Sequence, residues 1–281
     1  MSVVLVSGAN SGFGRLCALA FARAGHAVAA GSRSAERATE LERVAAAESL
    51  PLRVVRLDVT DPASVTRAVA ETVEQLGPVD VLVNNAGVMA AGPVECASED
   101  SVRQVFETNV LGPLRLIQAV LQSMRERRHG SIVLVGSLLG RVPAPGASIY
   151  AASKQAAAAL HDALSFEVEA FGIRVTTLDI GPYRTGITPQ AAPDHAAAAA
   201  YAPVLDGLRA RQARRLAESD DPAEVADAVV EAALRGSPLL HVAVGRHARE
   251  HLDGDDLADR FLGGLRRELF GNERDNDLGR G

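Results

Sequence analysis

Seven short apolar runs punctuate the chain, at residues 3–7, 26–31, 52–57, 79–83, 132–135, 173–180 and 239–244. Most are continuously apolar and rich in β-branched residues, the pattern of strands buried on both faces. Between them lie longer segments, 12–24, 35–48, 62–76, 101–128 and 147–171, whose apolar positions recur with helical spacing. Asp61-Pro62 and Asp221-Pro222 read as helix N-caps followed by proline at the first helical position, where its missing N–H is harmless. Strict alternation of strand and helix predicts an α/β fold with a parallel sheet. Right-handed crossovers make that sheet doubly wound and Rossmann-like, with helices on both faces. No second core or linker interrupts residues 1–245, so a single domain is expected there, with a substrate loop at about 183–216; residues 246–281 read as a C-terminal helical extension and tail. Residues 191–200 are alanine-rich and flanked by Pro189, Pro193 and Pro203, which fits a lid or a short surface helix. The polar segment 271–281 is expected to fray.

Composition narrows the function classes. With 47% hydrophobic and 23% charged residues among 281, the chain matches an ordinary soluble domain with a core of its own. A net charge of −6 argues against non-specific nucleic-acid binding. The densest basic cluster, Arg209, Arg211, Arg214 and Arg215, reads as a solvated helix face. The N-terminal apolar run has no basic leader and is far too short to span a membrane, so no membrane association and a cytoplasmic location are expected. Cys17 and Cys96 have no ligand spacing and fit a reducing compartment. His247 and His251 stand four apart, but a third ligand and the glutamate of a zinc-protease motif are missing, so no metal site is expected.

Candidate chemistry begins where the first strand ends. Gly8, Asn10, Ser11, Gly12, Phe13 and Gly14 form a GxxxGxG turn that opens the first helix. Glycines let the backbone turn tightly and approach a phosphate, and the free N–H groups at a helix start favour the negative charge of a pyrophosphate. Tyr150 and Lys154 are four apart on a predicted helix and share a face. A free tyrosine titrates near ~10, too high for efficient acid/base work at neutral pH. A neighbouring ammonium favours the phenolate and is expected to lower that value. Ser137 follows a strand, at the edge where open α/β sheets bind ligands, and its hydroxyl can hold a carbonyl oxygen beside the tyrosine.

The motifs together resemble the short-chain dehydrogenase/reductase family, in its short single-domain branch. The likeness runs from Val3 to about Gly245. It is carried by the glycine turn, by Asn84-Asn85-Ala86-Gly87 after the fourth strand, by Ser137 after the fifth, and by the YxxxK signature of Tyr150 and Lys154. The resemblance implies carbonyl–alcohol interconversion with a nicotinamide cofactor. Tyr150 would be the proton donor or acceptor, Ser137 the carbonyl orienter, and Lys154 the tyrosine tuner and ribose ligand. Asn109 matches the family's fourth active-site residue, whose main chain holds a relay water. Asp58 and Val59 would meet the adenine, and Asn85, Ala86 and Gly87 the adenine ribose. After the sixth strand the family's Pro-Gly is replaced by Gly181-Pro182, with Thr185 still standing where a hydroxyl would meet the nicotinamide amide and Ile180 placed to contact it through its backbone.

The second strand ends in Ser32 followed by Arg33. An NAD enzyme usually carries a carboxylate there for the ribose 2′-hydroxyl; its absence, with an arginine to bind a 2′-phosphate, points to NADP. Wide apolar stripes on the helices at 101–128 and 147–171 lead us to expect a homodimer or homotetramer. Apolar residues at 138–148, 92–96 and 183–216 would wall the pocket, which favours a lipophilic ketone or alcohol as the small-molecule substrate. A silent NADP-binding sensor, or an isomerase or dehydratase on the same scaffold, is the alternative. Finally, Pro113 cannot donate to the carbonyl of Asn109, so a kinked helix is expected, with that carbonyl directed toward Lys154 and open to a water.

Overall fold

A computed structural model describes residues 1–184, 190–191, 196–234 and 240–252. Nine strands and nine α-helices are described: β1 (Val3–Val6), α1 (Gly12–Arg23), β2 (Ala27–Ser32), α2 (Ala35–Ala47), β3 (Leu52–Arg56), α3 (Pro62–Leu76), β4 (Val81–Asn84), β5 (Ala90–Ala91), α4 (Glu99–Phe106), α5 (Gly112–Arg127), β6 (Gly130–Val135), α6 (Ser148–Glu169), β7 (Ile173–Ile180), β8 (Gln190–Ala191), α7 (Ala202–Ala217), α8 (Ala223–Leu234), β9 (His241–Val244) and α9 (Arg246–Leu252). Seven of the strands form one sheet in the order β3-β2-β1-β4-β6-β7-β9, parallel throughout. This is the single-domain, doubly wound α/β architecture that the alternation of runs predicts.

Strand side chains alternate between the two faces of the sheet. Val4 and Val6 of β1 point to a core built with Phe21 of α1 and with Val225 and Val229 of α8. Leu5 points the other way, to a core with Val65 of α3, Leu116 and Ile117 of α5, and Leu164 of α6. Phe21 and Leu5 are fully buried, and each such side chain contributes roughly 1.5–3 kcal/mol of transfer free energy. Local signals set the helix ends. Asp61 caps α3 by accepting from the Ala63 N–H at 2.9 Å, with Pro62 in the first turn. Ser34 caps α2 by accepting from the Arg37 N–H. Among the described residues no helix is long and apolar enough to cross a membrane.

The segment expected as one kinked helix is one continuous helical run, α4 then α5, interrupted by a π-helical turn over Glu107–Leu111 that contains Asn109. The run is continuous: Glu107, Leu111 and Gly112 all keep right-handed helical dihedrals. Proline lacks the N–H for a regular bond four residues back, and a π turn, whose bonds reach five residues back, absorbs that loss. The Gly112 N–H indeed donates to the Glu107 carbonyl. Gly112 also lets the joint settle on β3's exit, since a Cβ there would stand 2.8 Å from a Val59 methyl. A second parallel pair, β5 with β8, was not legible in the runs, because two-residue strands have no periodicity to read. Of residues 191–200, Ala191 ends β8 and residues 196–201 wind as a 3₁₀ turn. Residues 192–195, Thr185, and 253–281 with the tail 271–281 lie outside the described residues, as do the side chains of Arg209, Arg211 and Arg215.

Candidate active site

The chain winds outward from β1 through β2 and β3, then returns to β4 and winds the opposite way through β6, β7 and β9. Helices on the two sides of that reversal diverge and leave a crevice at the carboxyl ends of the strands. The glycine turn, Arg33, Asp58, Asn85, Ser137 and Gly181 all follow strands at this edge.

Gly8 and Gly12 have φ of +67° and +53°, a region that side chains with a Cβ rarely adopt. Gly14 is required by space instead. A Cβ there would lie 2.3 Å from the Gly8 carbonyl oxygen and 2.4 Å from Asn85 Nδ2. Asn85 Nδ2 donates to the carbonyls of Ser7 at 2.8 Å and Gly8 at 3.2 Å. In return Ser7 Oγ accepts from the N–H groups of Asn85 and Ala86 at 3.0 and 3.1 Å. The amide of Asn85 thus shapes the glycine turn, while the residue itself lines the cleft. Ser11 is the N-cap of α1 and its side chain makes no capping bond, which leaves first-turn N–H groups beside the cleft free of that side chain, as an anion site needs.

A cleft of about 350 Å³ runs along this edge, lined by Gly8, Asn10, Ser11, Gly12 and Phe13, by Arg33 and Arg37, by Asp58, Val59 and Thr60, and by Asn85, Ala86 and Gly87. Arg37, in the first turn of α2, was missed in the sequence; its only signal there is a second guanidinium one helical turn after Arg33. Ser32 is turned away from the cleft: it is 2% exposed and its Oγ donates to the Ser34 carbonyl at 2.9 Å. Asp58 Oδ1 accepts from the Thr60 N–H at 3.0 Å and the Thr60 hydroxyl at 2.7 Å, which fixes the bend after β3.

Tyr150 and Lys154 lie one turn apart on α6 and are 8% and 7% exposed. Lys154 Nζ sits 5.8 Å from the centroid of the Tyr150 ring and donates to the Val135 carbonyl at 2.9 Å. Ser137, just past β6, accepts at Oγ from the Leu139 N–H at 3.2 Å and hydrogen-bonds to Tyr150. Asn109 Oδ1 accepts from the Val88 N–H at 2.9 Å, while its Nδ2 donates to the Val88 carbonyl at 2.9 Å and to Ser153 Oγ at 3.0 Å. Ser153 Oγ donates in turn to the Tyr150 carbonyl at 2.7 Å. The Asn109 side chain therefore ties the Ala86–Val88 segment to the helix that carries Tyr150. Ser153 was not singled out in the sequence, where it is simply a residue inside the signature. Gly87 passes between the two groups: a Cβ there would stand 3.4 Å from Asn109 Oδ1 and 3.7 Å from Lys154 Nζ.

Burial pushes the Tyr150 phenol above its ordinary value, and the Ser137 hydrogen bond works in the other direction. Burial also pulls the Lys154 ammonium down to about 8. The expectation that the ammonium lowers the tyrosine is thus outweighed by desolvation of the phenolate. Two turns further along α6 from Lys154, fully buried His161 donates from Nδ1 to the Ala157 carbonyl at 2.8 Å, which leaves Nε2 to accept from Asn84 Nδ2 at 3.3 Å. Burial holds that imidazole neutral, at about 4.

Beyond β7, the Gly181 N–H donates to the Val244 carbonyl at 3.0 Å, so the segment that opens Gly181-Pro182 continues along β9. His251 Nδ1 lies 2.8 Å from the His247 carbonyl.

The short chain dehydrogenase family model matches residues 2–196. Dehydrogenase/reductase SDR family member 7B of Bos taurus is 38% identical over 193 residues, which span 66% of this chain and 59% of that protein. Among solved structures, a short-chain dehydrogenase from Streptomyces avermitilis is 34% identical with a TM-score of 0.79, covering 95% of each chain. An alcohol dehydrogenase from Thermococcus sibiricus, complexed with 5-hydroxy-NADP, is 25% identical with a TM-score of 0.71, covering 87% of this chain and 96% of its own. A match across most of the chain, on top of the glycine turn and the Tyr150–Lys154 pair, places it: the chain belongs to the short-chain dehydrogenase/reductase family of nicotinamide-dependent oxidoreductases.

Proposed function

We propose that this chain is an NADP-dependent oxidoreductase that interconverts a carbonyl and an alcohol, with Tyr150 as the general acid/base. The observation that carries the reading is the convergence of Asn109, Ser137, Tyr150 and Lys154 beside a cleft rimmed by the glycine turn. The cradle suits a dinucleotide. The Gly8, Gly12 and Gly14 turn, with no room at Gly14 for a Cβ and an open N-cap at Ser11, suits a pyrophosphate. Asp58 and Val59 would flank the adenine, Ala86 and Gly87 the adjoining ribose, and Gly181, Pro182 and Thr185 the nicotinamide.

When bound, the nicotinamide supplies or accepts the hydride at the carbonyl carbon. Tyr150 gives its phenolic proton to the substrate oxygen during reduction and takes it back during oxidation. Ser137 donates to the same oxygen and holds it beside the phenol. Lys154, as ammonium, stabilises the phenolate left behind and is placed to bind the ribose hydroxyls. With its value near 8 it can return a proton to that phenolate and take one in turn from a water held by the Asn109 main chain. A phenol kept neutral at rest suits the reductive direction. Exposed Val94 and Val142, in the segments expected to wall the pocket, favour a lipophilic small substrate.

NADP is favoured over NAD because no carboxylate ends β2 and both Arg33 and Arg37 line the cleft. The alcohol dehydrogenase solved with 5-hydroxy-NADP accords with that preference. Titration of the chain with NADPH and NADH tests it. NADPH should bind at least about tenfold more tightly, the effect of one charge-assisted phosphate contact, and replacing Arg33 and Arg37 with alanine should remove most of the difference. Equal affinities, or tighter NADH, overturn the assignment. We also propose a homodimer or homotetramer, built on the outer faces of α5 and α6, where Ala119, Ala152, Ala159 and Ala163 are exposed.

A further inference from the structure

Tyr183 stands in the segment that departs from the family's order, and three separate parts of the chain meet on it. Its ring is 6% exposed and meets Phe13 edge to face, with centroids 5.6 Å apart and planes at 86°. Its hydroxyl donates to Glu224 Oε2, in the first turn of α8, at 2.8 Å. Glu224 is also ion-paired with Arg249 of α9. The turn between β9 and α9 is shaped around the same hydroxyl: Gly245 has φ of +88°, and a Cβ there would lie 2.6 Å from Tyr183 Oη. Burial together with the Glu224 carboxylate pushes the phenol of Tyr183 well above its ordinary value, so it stays a proton-bearing donor to Glu224.

Phe13 sits between Gly12 and Gly14 and lines the cleft. It is only partly buried and packs against the core from its rim. A glycine turn has few side chains with which to hold itself. Asn85 and Ser7 secure its β4 side, and the ring of Tyr183 packs on the Phe13 within it. We infer that Tyr183 is a positioning residue for the cofactor turn: it fixes Phe13, and Glu224 with Arg249 fixes Tyr183, so the start of α8 and the β9–α9 turn help to set the affinity for the dinucleotide. The inference rests on the dinucleotide reading of the cleft.

Tyr183→Phe is the informative variant, because it keeps the ring and removes only the bond to Glu224. Dissociation constants for NADPH and NADH are measured by fluorescence in the parent, Tyr183→Phe, Phe13→Leu and the double variant. Tyr183→Phe should weaken cofactor binding about fivefold, within the range of a perturbed aromatic pair. In the Phe13→Leu background the same change should do nothing further, since the residue through which it acts is gone. A general loosening of the fold would instead weaken binding equally in both backgrounds. The inference is overturned by an unchanged dissociation constant in Tyr183→Phe, or by the same loss with and without Phe13. A parent chain that binds neither dinucleotide overturns the functional reading, and the inference with it, before any variant is compared.

Discussion

A phenol sunk as deeply as Tyr150, 8% exposed, releases its proton reluctantly, and burial makes its neighbour Lys154 an unusually weak base, at about 8. In the proposed reaction the phenol is then loaded with the proton that reduction consumes. Tyr150→Phe removes that proton and keeps the ring. We expect turnover to fall by roughly 10²–10⁴-fold, the usual worth of a positioned acid/base, with cofactor affinity nearly intact. Lys154→Ala should damage both, since one ammonium serves the phenolate and the ribose. Retention of most activity by Tyr150→Phe on a verified substrate would remove the acid/base assignment. At this scale the sequence was partly legible. Helical spacing alone placed Tyr150 and Lys154 on one face, and the strand-to-helix position of the glycines marked the turn. Ser7, Arg37, Ser153 and Tyr183 went unremarked, because each matters through a contact with residues distant in the chain. The second task of Asn85 was hidden for the same reason: nothing local shows that its amide is bound to Ser7 and Gly8.

Elements at the far edge of the sheet are fastened by charge as well as by apolar contact. His241 of β9 lies between Asp162 of α6 and Asp179 of β7, each imidazole nitrogen 2.9 Å from a carboxylate oxygen. Burial, the largest single influence, favours the neutral ring, but the two carboxylates together outweigh it and raise the group to about 9. A group raised above its unfolded value of about 6.5 contributes stability in full below that pH and loses it as pH rises through about 9. The shift corresponds to about 3 kcal/mol as an upper figure. Lys154 acts with the opposite sign: its depressed value makes the fold gain stability between about 8 and 10.5. The measurement is therefore a difference. The gap in thermal midpoint between the parent and His241→Gln should be large at pH 6 and close as pH approaches 9.5; a gap independent of pH would refute the clasp. Most element positions were legible, since fully buried strands and amphipathic helices advertise themselves. The β5–β8 pair was not, because two-residue strands leave no pattern, and the split between α4 and α5 was half legible: Pro113 announced the break but not its form.

For the whole molecule, the reversal between β1 and β4 gathers the glycine turn, the cleft and the α6 groups on one edge of the sheet. The alternation of runs was enough to predict this, because parallel crossovers of one hand leave few other arrangements. The walls of a substrate pocket were less legible: segments such as 92–96 and 138–148 are turns, whose course depends on what they pack against. The outer faces of α5 and α6 carry exposed alanines, with Leu111 exposed beside them, small side chains that would suit the proposed assembly. Multi-angle light scattering at micromolar concentration should give twice or four times the monomer mass, and a monomer would count against the proposed assembly. The π turn at Glu107–Leu111 has one more consequence, best put as a count of residues. A helix with such a turn holds one residue more than a regular helix joining the same two ends. Deleting a single residue there need not break the helix. It would leave a regular helix joining the same two ends, with α4 and α5 where they were, but shift the residues within the turn by up to about 100° around the axis, and so turn the amide of Asn109 away from Val88 and Ser153 while every helical residue stayed helical. In this helix the position of an active-site group is stored as an integer, and a length change too small to alter the fold is large enough to erase it.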